Sequence, residues 1–371
     1  MRMNRFTALL ATLLLLGGCS RPEFRPGAVW TDTDGAVINA HGGGILYDGG
    51  CYYWFGEHKV EGTAGNLAQV GVHCYSSTNL YDWQDEGIVL PVEPEGSGSP
   101  IEKGCILERP KVIRNARTGQ YVMWFHLEPK GAGYTGAMSG VAVSGRPTGP
   151  YRFLKAVRPN AGHYPVNALP LHAGPSRAEG MRFDGGSLPE HPDSLNIVGR
   201  DLAGGQMARD MTLFVDDDGR AYHIYSSEEN STLHIAELTD DYLSHSGRYA
   251  RFFVGRFMEA PAIVKHDGRY WMMMSGCTGW APNAARSAVA DSIWGPWTEC
   301  GNPCSGPLAE TTYDSQSTFL FTVAGTDRCI YMGDRWNPEN AADGRYVWLP
   351  VRFDGDRFRV EWHDRWRWEE E

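Results

Sequence analysis

Five polar residues, His41, Glu108, Asp210, Glu259 and Gln316, each stand at the head of a short apolar run that ends in a turn. Three of them are carboxylic acids. Acids brought together from separate segments suit general acid and base chemistry: one, kept protonated by burial or a like charge, gives up a proton, while another stays ionised. The Glu259 stretch is the clearest. Pro261 lies just inside the run Ala260 to Val264, an Asp267-Gly268 pair follows, and then comes the aromatic and methionine run Tyr270 to Met274. Asp-Gly supplies the positive φ values of a tight two-residue turn, so the stretch predicts a β-hairpin with the acid at the strand's entrance. Glu108 beside Arg109 and Asp210 beside Arg209 also fit structural ion pairs, a role that perturbed acids often fill.

The elements that must position these residues repeat along the chain. After each marker comes a hairpin and then a second hairpin, for example Ile45 to Tyr47, Cys51 to Phe55, Val70 to Ser76 and the Leu80-Tyr81-Asp82-Trp83 stretch. Five such units of four short strands, with almost no helical periodicity, predict an all-β fold: a five-bladed β-propeller with four-stranded antiparallel blades over residues 30–368. A sandwich of similar strand count would not explain why a polar residue recurs at the head of each first strand. In a propeller the innermost strands face a central channel, and their leading residues converge there. The interval between Glu108 and Asp210 is the longest, and an insert at about residues 155–205, rich in Pro, Gly, His and Asn, accounts for it.

The chain has 371 residues, 13 tryptophans, 17 tyrosines and a net charge of −11, a balance that argues against a nucleic-acid partner. Residues 1–19 predict an export signal: Arg2 and Arg5, an apolar run from Leu9 to Leu16, then Gly17-Gly18-Cys19. The Leu-Gly-Gly-Cys sequence resembles a bacterial lipoprotein box. It implies lipidation at Cys19 and a protein tethered at a cell-envelope membrane, with residues 20–29 as a linker. The seven remaining cysteines, scattered and odd in number, do not form a disulfide framework, although Cys300 and Cys304 flank a turn and are close enough in sequence to pair. No metal is expected. Cys300 and Cys304 lack zinc partners, and Asp216-Asp217-Asp218-Gly219 lacks the distal glutamate of a calcium loop.

Several stretches together carry a family resemblance: Ala40-His41-Gly42-Gly43-Gly44-Ile45 with Tyr53-Trp54-Phe55-Gly56-Glu57, Glu108-Arg109-Pro110-Lys111-Val112, Arg209-Asp210-Met211-Thr212, Glu259-Ala260-Pro261-Ala262, Ser275-Gly276-Cys277-Thr278-Gly279-Trp280 and Gln316-Ser317-Thr318. They span nearly all of residues 30–365. The chain resembles glycoside hydrolase family 43, and within it the exo-β-1,3-galactanase (galactan 1,3-β-galactosidase) branch. The resemblance implies an exo-acting, inverting, cofactor-free hydrolase that releases galactose from the β-1,3-galactan of plant arabinogalactan-type polysaccharide. It implies Glu259 as general acid, Asp210 as the residue that tunes and orients it, and Gln316 as the holder of the attacking water. Glu108 is left as either the base or a binder of sugar hydroxyls. Glu57, His126, Asn230, Thr278 and Trp280 fall at sugar contacts, with His126 where a tyrosine is common. The Asp that usually serves as base in the first blade is absent here, replaced by Ala-His-Gly-Gly-Gly. Partners are then a poly- or oligosaccharide and a membrane lipid anchor, for a monomer. An α-L-arabinofuranosidase or galactofuranosidase of the same fold is the alternative, since fold does not fix substrate. A non-catalytic carbohydrate-binding propeller is another, supported by the missing Asp.

Overall fold

The computed structural model describes residues 21–181 and 187–371. Cys19 and the apolar run before it lie outside the described residues. Within them, no helix is long and apolar enough to cross a membrane.

Five sheets follow one another along the chain. The first blade is β1 (His41–Asp48), β2 (Cys51–His58), β3 (Gly71–Ser77) and β4 (Gln84–Pro91). The second is β5 (Ile106–Arg114), β6 (Tyr121–Glu128), β7 (Met138–Ser144) and β8 (Arg152–Val157). The third is β9 (Met211–Val215), β10 (Ala221–Ser227), β11 (Thr232–Leu238) and β12 (His245–Phe252). The fourth is β13 (Met258–His266), β14 (Arg269–Gly276), β15 (Arg286–Ala290) and β16 (Thr298–Gly301). The fifth is β18 (Gln316–Thr322), β19 (Cys329–Arg335), β20 (Arg345–Asp354) and β21 (Arg357–Glu361), widened by the short β17 (Cys304–Ser305), which pairs parallel to β21. Each of the four-stranded sheets is an antiparallel meander, and the first strands β1, β5, β9, β13 and β18 touch in sequence, with β18 closing back on β1. The expected five-bladed propeller is the fold.

Blades are too small to bury both faces alone, and alternation along the strands solves this. Successive side chains point to opposite faces, so Trp271 and Met273 enter the core shared with the fifth blade, whereas Met272 and Met274 enter the core shared with the third. Trp54 and Phe55 divide in the same way between the fifth-blade and second-blade sides. Every blade interface thus holds its own apolar core. The strand sequences read as continuous apolar runs because both faces are buried. The Asp267-Gly268 turn has both residues at positive φ, 49° and 75°, as the hairpin reading requires.

Two features differ from the sequence reading. Residues 21–29, expected as a linker, lie against the body: Phe24 is 2% exposed and bridges to Trp366, with its N–H bonded to the Trp366 carbonyl at 2.9 Å. An aromatic side chain close to the start of the stretch found a niche between the first and fifth blades. The insert between β8 and β9 carries short helices, α1 (Pro192–Leu195) and α2 (Ile197–Asp201), and a small apolar cluster of its own. Cys300 and Cys304 are both free thiols.

Candidate active site

The heads of the first strands are not simple strand ends. In β1, β5 and β13 the register slips just after His41, Glu108 and Glu259, and the residue that follows each one, Gly42, Arg109 or Ala260, adopts a left-handed φ of 60°, 57° or 51°. A bulge of this kind re-aims side chains. At Glu108 and Glu259 it turns the blade heads toward one cleft of about 460 Å³ at the channel mouth, whereas the His41 ring is fully buried against Tyr346 and does not line it. Glu57, Glu108, His126, Asp210, Asn230, Glu259, Trp280 and Gln316 all line that cleft. Thr278 is the exception among the expected residues. Its hydroxyl is spent inside its own loop, on the Ala281 carbonyl and the Asn283 side chain, where it shapes the turn that carries Trp280.

Glu259 heads β13 with Asn230 Nδ2 donating to its Oε1 at 2.8 Å. Burial, and then the negative charge of Asp210, push its carboxyl up to about 7. A carboxylic acid with that value keeps a proton near neutrality and gives it up readily. Asp210 is gripped by Arg109 of the neighbouring blade, Nε to Oδ1 at 3.1 Å and Nη2 to Oδ2 at 2.8 Å. The adjacent pairs suggested by the sequence, Glu108 with Arg109 and Asp210 with Arg209, therefore do not form. Arg209 instead binds Glu229 at 3.2 Å.

Gln316 is tied down at both ends. Its Oε1 accepts from Arg109 Nη2 at 2.5 Å and from Trp336 Nε1 at 2.9 Å, and its Nε2 donates to Ser275 Oγ at 2.9 Å. Arg and Trp side chains only donate, so the amide orientation is forced, and one N–H remains free. Glu108 is also held at both oxygens: Oε2 faces His126 Nδ1 at 2.9 Å and Oε1 accepts from the Tyr134 hydroxyl at 2.9 Å. Burial alone would raise its pKa, but the His126 contact overrides this and holds it down at about 2. His126 bonds Glu128 through its other nitrogen at 3.1 Å, and the two carboxylates lift it to about 9 against burial. Glu108, His126 and Asp210 bring three possible ligand atoms within 4.8 Å of one another. An imidazolium with both nitrogens bonded to carboxylates has no lone pair to offer a metal, so the cluster is an ion-pair network.

The glycines of the first blade leave no room for a side chain. A Cβ on Gly42 would collide with Glu57 Oε1, and one on Gly44 with the Lys111 chain and Phe319. Lys111 Nζ donates to the Gly42 carbonyl at 2.8 Å, and burial, then Arg109, lower its pKa to about 7. The space is already taken by side chains of neighbouring strands. Trp336, of the Gly333-Asp334-Arg335-Trp336 stretch, also lines the cleft, as do Arg109, Tyr134 and Asn66, which the sequence did not mark as sugar contacts. Arg109 was legible only as a neighbour of Glu108, and Tyr134 sits in a glycine-rich loop that carries no strand pattern.

A propeller whose hub gathers a proton-holding acid, ion-paired carboxylates and an exposed tryptophan in one open cleft is that of a glycoside hydrolase, and the chain belongs to glycoside hydrolase family 43. The family model for glycosyl hydrolases family 43 matches residues 193–348. A family 43 β-1,3-galactosidase solved with galactodeoxynojirimycin is 52% identical over 93% of this chain and 100% of its own, with a TM-score of 0.86. An exo-β-1,3-galactanase from Phanerochaete chrysosporium, solved with β-1,3-galactotriose, is 31% identical over 94% of this chain and 68% of its own, with a TM-score of 0.74. Among curated proteins, a β-D-galactofuranosidase from Aspergillus niger is 29% identical over 169 residues, 42% of this chain and 47% of that protein. The chain spans about half the length of that relative.

Proposed function

We propose that the protein is an exo-acting, inverting galactan 1,3-β-galactosidase. The observation that carries this reading is Glu259: a carboxyl pushed up to about 7 by burial and by Asp210, in a cleft shared with Gln316 and Trp280. Glu259 protonates the departing glycosidic oxygen as its bond to the anomeric carbon breaks. A water held by the free N–H of Gln316 attacks that carbon from the opposite side through its other lone pair, and the proton it sheds on bonding to the carbon passes to the solvent of the open cleft. Arg109 and Trp336 draw electron density onto the amide oxygen and make the remaining N–H a stronger donor. Glu108 serves sugar binding and not proton abstraction, because a carboxylate held near 2 is a weak base, while each of its oxygens keeps a lone pair beside the His126 and Tyr134 contacts for a sugar hydroxyl. The amide oxygen of Asn230, buried and without a partner, is ready to accept from a sugar hydroxyl. Trp280, 42% exposed and edge-on to Trp336 at 6.1 Å, offers a stacking face. The similarity to β-1,3-galactosidases supports the substrate.

The test is product analysis on β-1,3-galactan with proton NMR of the first turnovers. Galactose appearing first as the α-anomer is the expected result; the β-anomer, or no release, would sink the proposal. A galactofuranosidase is the second reading, favoured by the Aspergillus niger relative. Cleavage of aryl galactofuranosides with the galactan untouched would select it.

A further inference from the structure

Asn230, which holds the acid, sits in an unusual turn. The loop joining β10 to β11 contains three consecutive non-glycine residues in the left-handed region, Glu228, Glu229 and Asn230, with φ of 51°, 57° and 63°. Side chains with a Cβ rarely adopt that conformation even singly, and such residues persist only where the surroundings over-determine them. Here each of the three is clamped. Both oxygens of Glu228, which is wholly buried, accept from Arg251 of β12 at 2.6 Å, and Oε1 also faces His234 Nε2 at 2.8 Å. Glu229 joins Arg200 of α2 at 2.9 Å and Arg209 at 3.2 Å. Asn230 ends on Glu259 Oε1 at 2.8 Å.

The clamp reaches outward into the insert. Arg251 Nη2 donates to Asp193 of α1 at 2.7 Å, and its Nη1 lies 3.1 Å from His172 Nε2. Asn167 brackets the Arg251 backbone from both sides, Oδ1 taking its N–H at 3.1 Å and Nδ2 reaching its carbonyl at 2.7 Å. A continuous polar chain therefore runs from the insert through Arg251 and Glu228 to the turn, and from the turn to the acid. Because an N–H donates to Oε1, the proton of Glu259 belongs on the other oxygen.

We propose that Glu228 and Arg251 are positioning residues for the acid: braced by Asp193 and His172 of the insert, they lock the left-handed turn 228–230 and, through Asn230, fix the orientation of the Glu259 carboxyl and the oxygen that carries its proton. This rests on the reading of Glu259 as general acid.

The experiment compares two leaving groups on the full-length protein. β-1,3-Linked galactobiose expels a sugar alcohol that needs a proton; dinitrophenyl β-galactoside expels a phenolate that does not. Glu228→Gln and Arg251→Lys are expected to lower kcat on the disaccharide by about tenfold or more while changing the aryl substrate by less than about twofold. Asp193→Asn, at the more exposed outer end, gives the same pattern more weakly and covers the case in which a core variant fails to fold. Equal losses on both substrates, or no loss on either, would overturn the proposal. Glu259→Gln is run alongside. If it too shows no leaving-group dependence, the assignment of Glu259 as acid is what fails, and the positioning role falls with it.

Discussion

Arg109 and Gln316, from blades two and five, meet at 2.5 Å, and the same guanidinium holds Asp210 of blade three and the Ser317 carbonyl at 3.2 Å. One buried cation thus fixes the position of the Gln316 amide relative to the Asp210 carboxylate. Arg109 reaches these partners from three separate nitrogens, whereas the three donors of a lysine share one nitrogen and cannot span them. Arg109→Lys should therefore fold and lose activity by about a hundredfold, with most of the loss in kcat. Arg109→Ala should additionally cost about 3–5 kcal/mol of stability, because it leaves Asp210 uncompensated. Steady-state kinetics and denaturant melts separate the two effects.

Removing the acid's proton should be as damaging as removing the Arg109 bridge. Glu259→Gln keeps the shape and the bond from Asn230 but has no proton to give, and it should lower kcat on β-1,3-galactobiose by about 10²–10⁴. Binding of galactose, followed by calorimetry, should change little. If activity survives, the acid lies elsewhere.

The pH profile offers a further check. With Glu259 at about 7, the protonated and competent form is lost as pH rises through that value, so activity should fall on the alkaline side. Asp210 raises this value by like-charge repulsion. Asp210→Asn should move the alkaline limb to lower pH. The stability sign follows from the same group. A carboxyl raised on folding favours the folded state only while protonated, so its contribution fades as pH climbs through about 7. Glu259→Gln should then melt higher than the parent protein above that pH. A limb that stays put in Asp210→Asn would show that the two carboxyls do not interact.

The blade count and most of the cleft were legible because each first strand announces itself: a polar residue, an apolar run and a turn residue are local signals. The two-sided burial that makes Trp271 to Met274 uniformly apolar is also local. Partners joined across blades were not legible. Nothing in the order of residues says that Arg109 reaches past Glu108 to Asp210, because the bulge that turns it depends on neighbours far along the chain. Thr278 misled for the opposite reason: it sits in the right motif, but its hydroxyl closes a loop. Tyr134 and Asn66 come from irregular loops, and Glu108 meets the first of them only once the blades close.

His126 connects stability to the wall of the cleft. It lies between Glu108 and Glu128, both buried, and is raised to about 9. Its charge stabilises the folded state fully below the unfolded value of about 6.5 and is lost as pH rises through about 9. The melting temperature should accordingly decline over that interval. His126→Gln removes the cation and leaves two carboxylates facing a neutral amide, so it should cost about 3–5 kcal/mol at neutral pH and abolish this part of the decline. His126→Gln with Glu128→Gln should recover part of that loss, because only Glu108 then remains uncompensated. A double variant no more stable than the single one would show that the His126–Glu128 contact carries no stability.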